Sequence, residues 1–563
     1  MELTLLHAIA AHPKALTPPW VKKTQAIGLK GMIVCPQPQA AERGIQVLRH
    51  GGNAVDAAVA TAFLQGVVDI QNCGIGGFGQ MHVYMAESGE EMILDFHGKA
   101  GSKATPDMWK DIVLSEARDG FGYVLRGDVN LHGYASVTTP GTVMGLYEGH
   151  ARYGSIPWKE VVRPAIELAG RGFTVTQEQA RSWRAQPDLF ETLLVTPEAK
   201  RIYTRNGAPY EEGAVIANKD YAESLRKIAS EGPDVFYRGE IMARIVEDFE
   251  RGGGFITARD FENYRVKAYP PLKTDYRGYV TASNDSPGGG LTILELLNIL
   301  EGYDLAAYDW RGMGSDIAGY IHLLSAAMRA AEADRARYMG DPDFVDVPSK
   351  MIISKERAEE WRQRINRNEK ITLPKWPLEP ETTTHLCVVD QKGNAVSLTH
   401  TLGSCSGVIT RGLGFFYNNA MVNFNPVPGR PNSIAPGKSR LTQMSPSILL
   451  KDERPFMILG APGGGKIVSA ITLAVVNVID HGMTPAEAVA HPRFFCLHSD
   501  IIDVESRVPD YICSIVEEKG NLVAKTPASY APFASVQMIV LDHEKERVLG
   551  GSDPRTGGVV LST

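Results

Sequence analysis

A threonine hydroxyl is a weak nucleophile unless a base stands beside it, and Thr383 stands where the chain could supply one. It opens a strand pattern, Thr383-Thr384-His385-Leu386-Cys387-Val388-Val389-Asp390, directly after a polar stretch over residues 366–381 that carries Pro374, Pro377 and Pro380. That stretch reads as an exposed linker. If the chain were cut before Thr383, the new α-amino group, with a reference pKa of roughly 7.7–8.0, could accept the hydroxyl proton of the same residue. No separate histidine is then needed. In the uncut chain the Thr383 hydroxyl could attack the carbonyl of Thr382. Hydrolysis of the resulting ester would leave fragments 1–382 and 383–563.

A partner for Thr383 follows from hairpin arithmetic. Gln391-Lys392-Gly393-Asn394 supplies turn residues, and Ala395-Val396-Ser397-Leu398-Thr399-His400-Thr401 is a second strand pattern. A tight turn near Lys392 pairs residues whose numbers sum to about 784, which sets Thr383 opposite Thr401. Cross-strand Cβ atoms lie only ~5 Å apart, within reach of a hydroxyl–hydroxyl hydrogen bond. The plainer reading is a threonine-rich strand pair, since threonine favours strands. The position of Thr383 behind the linker favours the chemical reading.

Two glycine motifs could do further chemistry. Gly460-Ala461-Pro462-Gly463-Gly464-Gly465-Lys466 follows the apolar strand Phe456-Met457-Ile458-Leu459 and precedes a helix, as a phosphate loop does. It lacks the final hydroxyl, because Ile467 stands there, and Pro462 removes a backbone donor. The same geometry suits a transient oxyanion held by the N–H groups of Gly463 and Gly464, where one donor is typically worth ~3 kcal/mol of transition-state stabilisation. A glycine turn admitting close packing is the third reading. Gly74-Ile75-Gly76-Gly77-Phe78-Gly79 satisfies a dinucleotide fingerprint, but a helix precedes it and a strand follows it, the reverse of the required order.

The elements that must position these residues are legible in outline. Gln37–His50 and Ala54–Val68 carry helical patterns, with Asn53 capping the second and its Ala/Val content marking it as buried on most sides. Met81–Met85 and Met92–Phe96 look like paired strands. Residues 140–365 are mainly helical. Strands are expected to dominate from His385 to Ile458, followed by a long helix from Ile467 to about Asp480. No internal repeat is present.

The chain as a whole has 563 residues, 44% apolar and 22% charged, with 58 basic against 65 acidic side chains and a net charge of −7. That balance suits a globular protein and gives no footprint for nucleic acid. No apolar run reaches the roughly 20 residues of a membrane span. Cys35, Cys73, Cys387, Cys405, Cys496 and Cys513 form neither a disulfide framework nor a zinc motif, so no metal or other cofactor is expected. Residues 1–11 read as a short docking helix and not a secretory signal, which points to the cytoplasm.

At Thr383-Thr384-His385, Gly393-Asn394-Ala395-Val396 and Pro462-Gly463-Gly464 the sequence resembles the gamma-glutamyltransferase family of N-terminal nucleophile (Ntn) hydrolases. Further matches are Gly51-Gly52-Asn53-Ala54-Val55-Asp56-Ala57-Ala58, Thr139-Pro140-Gly141-Thr142-Val143, Gly340-Asp341-Pro342-Asp343-Phe344, Met444-Ser445-Pro446 and Ser552-Asp553-Pro554-Arg555. The resemblance covers roughly residues 30 to 560. It implies an α+β fold, a four-layer αββα sandwich built jointly by fragments 1–382 and 383–563. It also implies Thr383 as nucleophile and processing residue, Thr401 as its partner, and Gly463 and Gly464 as the oxyanion hole.

The substrate positions that the resemblance implies depart from the family pattern. His97 replaces the arginine that follows Asp-Phe and grips a carboxylate. Thr442 and Gln443 replace two serines. Asn423 replaces the aspartate that holds an ammonium, Ala420 a glutamine, and Gly403 an asparagine. Histidine lacks the bidentate fork of arginine, and asparagine carries no charge for an ammonium. The expected enzyme is therefore an autoprocessing amidohydrolase or acyl transferase acting on a small, non-glutamyl, carboxylate-bearing amide. The segment from Asn425 to Arg440 is short compared with relatives that carry a lid loop, which favours an open pocket and water as acceptor. A gamma-glutamyl hydrolase or transferase is the alternative within the class. A P-loop-like nucleotide binder and a processing-dead binding protein are the alternatives outside it. The expected partners are the small amide and the two fragments themselves, with a homodimer of the heterodimer as the higher assembly.

Overall fold

A computed structural model of the uncleaved chain describes residues 24–28, 30–115, 123–185, 187–314, 316–371, 373, 382–496, 501–527, 530 and 533–563. The docking helix expected over residues 1–11 and the linker residues 374–381 lie outside the described residues.

Fourteen strands build two seven-stranded sheets. They are β1 (Gln25–Gly28), β2 (Met32–Cys35), β3 (Phe78–Met85), β4 (Glu90–Phe96), β5 (Lys267–Tyr269), β6 (Leu272–Tyr276), β7 (Tyr279–Ser283), β8 (Thr384–Val389), β9 (Ala395–Thr401), β10 (Ser447–Lys451), β11 (Arg454–Gly460), β12 (Gln537–Asp542), β13 (Arg547–Ser552) and β14 (Val559–Ser562). The first sheet runs in the order β5-β4-β3-β9-β8-β2-β14 and the second β1-β13-β12-β11-β10-β7-β6. Every pairing in both is antiparallel.

The two sheets pack face to face, and helices cover both outer faces. On β8, Cys387 and Val389 point inward to meet Ile448, Ile458 and Ile539 of the second sheet. Leu386 and Val388 point outward, to the helices α1 (Pro38–Arg49), α2 (Ala54–Val68) and α3 (Thr142–Tyr153). Strands buried on both faces read as continuous apolar runs, which is why this strand shows no polar alternation. Against the outer face of the second sheet lie α4 (Gly290–Glu301), α5 (Ile317–Tyr338), α6 (Lys355–Asn366) and α7 (Ile467–Ile479). The four expected layers are present. Residues before and after position 383 alternate within each sheet, so both sheets mix strands from the two sides of that point.

Helix α2 is buried along all of its length, and Asn53 closes a capping box with Asp56 at its start. The Ala54 N–H donates to Asp390 Oδ2 at 2.9 Å, which fastens the β8–β9 turn to the positive end of α2. Two expectations need correction. Strands do not dominate from His385 to Ile458: residues 402–446 are irregular apart from a short 3₁₀ turn at Ala420–Asn423. Positive φ at Gly403, Gly407, Gly412 and Gly414 breaks any ladder there. Of the stretch expected to be an exposed linker, residues 366–370 are exposed, whereas Ile371 and Leu373 are buried. Asn366 ends α6, and Ile371 and Leu373 pack into the core beside the second sheet.

Candidate active site

The β8–β9 register pairs Thr384 with His400 and Val389 with Ala395, so paired residue numbers sum to 784, as the turn residues require. Thr383 therefore faces Thr401, and its Oγ1 donates to Thr401 Oγ1 at 3.0 Å. The Gly403 N–H donates to the same Thr401 oxygen at 2.8 Å. Gly403 has φ +70, and a Cβ there would lie 2.2 Å from Asn419 Oδ1. That asparagine oxygen accepts from the Ser404 N–H at 2.8 Å and fixes the turn. Thr383 itself has φ +104, an outlier for a β-branched residue. Strain of this kind costs about 1–3 kcal/mol and sits here at the peptide bond between Thr382 and Thr383.

Two histidines lie close by, and burial weakens both as bases. His385 hydrogen-bonds Thr399 Oγ1 at 2.8 Å, and burial, reinforced by His400, pushes its pKa down to about 3. Burial likewise takes His400 down to about 3. Both rings are neutral over the working pH range.

The inward face of the first sheet carries a row of side chains at this end. Thr401 pairs with Phe78 on β3, and Gly79 pairs with Phe96, which sets Phe78 beside His97 just past β4. The Phe78 and His97 rings stack at 5.9 Å. Strand spacing of ~4.8 Å puts His97 roughly 14 Å from Thr383 along the row. Asp95 Oδ1 receives His97 Nδ1 at 2.6 Å. Burial opposes the Asp95 charge, but His97 and Lys99 outweigh it and hold the carboxyl below its usual pKa. His97 Nε2 is buried and has no hydrogen-bond partner among the described residues.

Over the Phe78 ring lies the Arg440 guanidinium, 5.2 Å from the centroid. Arg440 is buried and donates to the Leu441 carbonyl at 2.8 Å. Sequence reasoning used Arg440 only as a loop boundary and missed this role, as it missed Phe78. Ala420 and Met444 complete a small apolar cluster around Phe78. Nearby in sequence, Thr442 is anchored at both backbone ends, donating to the Pro287 carbonyl at 2.8 Å and accepting from Arg335 at 3.0 Å. Gln443 is buried, and its Oε1 has no partner among the described residues. Asn423 is buried too, its carbonyl receiving Asn432 Nδ2 at 2.7 Å.

The second sheet contributes the glycine turn. Gly460 ends β11 hard against the His385 ring, so the turn that follows emerges at the Thr383 end of the sandwich. Gly463 has φ +136, and a Cβ on it would strike Ala534 at 2.3 Å. Gly464 opens a 3₁₀ turn that leads into α7. The Gly463 and Gly464 N–H groups are buried, and among the described residues neither donates to any protein acceptor. Two adjacent buried donors without protein acceptors among the described residues thus stand just before the start of α7. Lys466, which would serve the phosphates in a P-loop, lies over the rings of Phe495 and Phe533 at 5.1 and 5.0 Å. In Gly74–Gly79 the glycines serve packing: a Cβ on Gly77 would lie 2.2 Å from the Thr401 carbonyl oxygen. Among the described residues no acidic, histidine and cysteine cluster fits a metal ion, and no helix is long and apolar enough to cross a membrane.

The family model described as gamma-glutamyltranspeptidase matches residues 40–563. An acylase ACY 1 proenzyme of Pseudomonas sp. strain V22 is 37% identical over 90% of this chain and 89% of its own length. A glutathione hydrolase proenzyme of Pseudomonas sp. strain A14 is 36% identical over 93% and 92%. The crystal structure of a cephalosporin acylase from Bacillus halodurans superposes with a TM-score of 0.85 at 28% identity, covering 98% of both chains. The chain belongs to the gamma-glutamyltranspeptidase family of Ntn hydrolases, and within it is an amide C–N hydrolase.

Proposed function

We propose that the protein cleaves itself before Thr383 and then hydrolyses a small, non-glutamyl amide through an acyl-enzyme on Thr383. The observation that carries this reading is the Thr383–Thr401 hydroxyl pair at 3.0 Å, with Thr383 strained at φ +104. In the precursor, Thr383 Oγ1 attacks the Thr382 carbonyl carbon. The C–N bond breaks as the ester forms, and water then releases the Thr382 carboxylate and a free Thr383 amine. In the mature site that amine takes the Oγ1 proton as the hydroxyl attacks the substrate amide. The buried His385 and His400 support this assignment, since burial makes each a weaker base than the α-amino group. The oxyanion is held by the Gly463 and Gly464 N–H groups, whose lack of protein acceptors supports that role. The Thr383 ammonium protonates the leaving amine, and water enters by the reverse path to free the acid.

The acyl pocket then lies along the row from Thr401 past Phe78 to His97. Arg440 supplies positive charge and His97 Nε2 a ring nitrogen for a carboxylate on the acyl portion, with Asn423, Thr442 and Gln443 as the further substrate positions. A relative named an acylase and a structural neighbour named a cephalosporin acylase support a non-glutamyl acyl group. A gamma-glutamyl hydrolase or transferase is the second reading, favoured by the relative named a glutathione hydrolase proenzyme. A panel of amides assayed beside a gamma-glutamyl anilide separates the two. Saturable, efficient turnover of the anilide would overturn the non-glutamyl assignment. We further propose that fragments 1–382 and 383–563 stay together after cleavage and that the heterodimer pairs into a homodimer.

A further inference from the structure

The outward face of β8 and β9, behind the threonine pair, carries a polar network that the reaction does not use. Thr384 Oγ1 receives Gln37 Nε2 at 3.0 Å and Gln65 Nε2 at 2.9 Å. Gln65 Nε2 also donates to Gln37 Oε1 at 2.6 Å, and Gln65 Oε1 meets His400 Nε2 at 2.9 Å. Gln37 Nε2 reaches Asp69 Oδ2 at 2.5 Å. The other carboxylate oxygen, Asp69 Oδ1, receives Asn72 Nδ2 at 2.8 Å. The Asn72 carbonyl in turn accepts the Leu402 N–H at 2.9 Å. Thr384 follows Thr383, and Leu402 follows Thr401. One carboxylate thus reaches the neighbours of both threonines, Thr384 through the Gln37 side chain and Leu402 through Asn72, whose side chain meets Asp69 and whose backbone carbonyl meets Leu402.

We infer that Asp69 is a positioning residue, a two-armed clamp that sets the Thr383–Thr401 separation from behind the sheet. Arm one runs through Gln37 to Thr384, arm two through Asn72 to Leu402. Both arms present N–H donors to Asp69, so both are made only when it is ionised and accepts at each oxygen. A protonated Asp69 turns one oxygen into a donor facing a donor, and one arm opens. The charged and titratable groups around it favour that change. Burial pushes the Asp69 carboxyl up to about 7, against the hydrogen bonds from Gln37 and Asn72, and Glu178 adds to the rise. The thiols of Cys35 and Cys73 also face it and are themselves held neutral by burial. Among the described residues no basic side chain pairs with Asp69. The clamp is therefore closed above about pH 7 and opens below it.

The inference rests on Thr383 as nucleophile, so the test uses mature enzyme from which Thr383→Ala abolishes turnover. Activity that survives Thr383→Ala sinks the functional reading and the clamp with it. Given a dead Thr383→Ala, log kcat is measured against pH for the wild type and Asp69→Asn. Asparagine, like the protonated acid, puts a donor where the carboxylate had an acceptor. The expected wild-type acid limb falls with two protons, one from the Thr383 amine and one from Asp69. Asp69→Asn should lose about tenfold in kcat at pH 8, keep its KM, and show a one-proton limb. A merely structural Asp69 would lower the melting temperature and leave the two-proton limb in place, and that result would overturn the clamp. If Asp69→Asn does not fold, Gln37→Ala removes the first arm and Asn72→Ala releases the second from Asp69, leaving the Asn72 carbonyl on the Leu402 N–H. Each should lower kcat severalfold at unchanged KM, and wild-type kcat in both would overturn the inference.

Discussion

In the proposed acyl pocket the Arg440 guanidinium is the charged group nearest the Phe78 ring. His97 is held by Asp95 through Nδ1, which leaves Nε2 as its one free ring position, while Arg440 lies over Phe78 from the 440–444 segment. A hydrogen bond to a charged group contributes roughly 1.5–3 kcal/mol. Arg440→Ala is therefore expected to raise KM about 10- to 100-fold for acyl groups that end in a carboxylate, and to leave neutral-tailed analogues within about twofold. Steady-state kinetics on a matched pair of substrates checks this; an equal loss on both would remove Arg440 from recognition. At the other end of the row, Thr401→Val keeps the shape and deletes the hydroxyl that joins Thr383 to the Gly403 N–H. Turnover should fall about 10- to 100-fold with the fold intact, while Thr401→Ser should keep most of it. A Thr401→Val enzyme with wild-type kcat would disconnect the pair from catalysis.

The threonine pair is legible because a hairpin is local. Once the turn is placed at Gln391–Asn394, every cross-strand partner follows by subtraction, and Thr401 falls opposite Thr383. Phe78 and Arg440 were not legible, because the β9–β3 register joins segments hundreds of residues apart, and no local turn fixes it. The same reason hid the Asp69 network, whose members come from four separate stretches of chain. Residues 402–446 misled for a different cause: their β-branched and aromatic content resembles strand, but glycine and asparagine turns consume the backbone hydrogen bonds. Two expectations belong to single elements. Gly463→Ala puts a Cβ 2.3 Å from Ala534 and forces φ +136 on an L-residue, so the glycine turn should shift and turnover be lost, with about 1–3 kcal/mol of destabilisation measurable by denaturant titration. Wild-type turnover in that variant would free the turn from the site. In the helical layer on the second sheet, Glu295 of α4 is fully buried; burial, aided by the charge of Asp334, raises its carboxyl well above its usual pKa. The folded chain keeps that proton while the unfolded chain releases it above about pH 4.5, so this group's contribution to stability falls as pH rises from there. Glu295→Gln should melt higher than the wild type, with the gap widening as pH rises above about 4.5. A gap that does not change with pH would contradict the raised pKa.

Across the whole molecule, the two sheets interleave strands from either side of position 383. In the first sheet β8 and β9 sit between β3 and β2, and in the second β10 to β13 sit between β7 and β1. Neither fragment can close a sheet by itself, so cleavage should leave one folding unit. Fragments 1–382 and 383–563 are expected to co-elute and to melt in one transition, whereas 383–563 expressed alone should be insoluble or unfolded. Separate elution of two folded fragments would contradict that interleaving. The placement of every catalytic group depends on Thr383 becoming an N-terminus and then carrying the acyl group. Intact-protein mass spectrometry tests both at once, on purified protein before and after acid quench with a turned-over amide. The expected result is a small fragment whose mass begins at Thr383 and which gains the acyl mass on that residue after the quench. A single uncut chain that still turns over, or an acyl adduct on another residue, would contradict it.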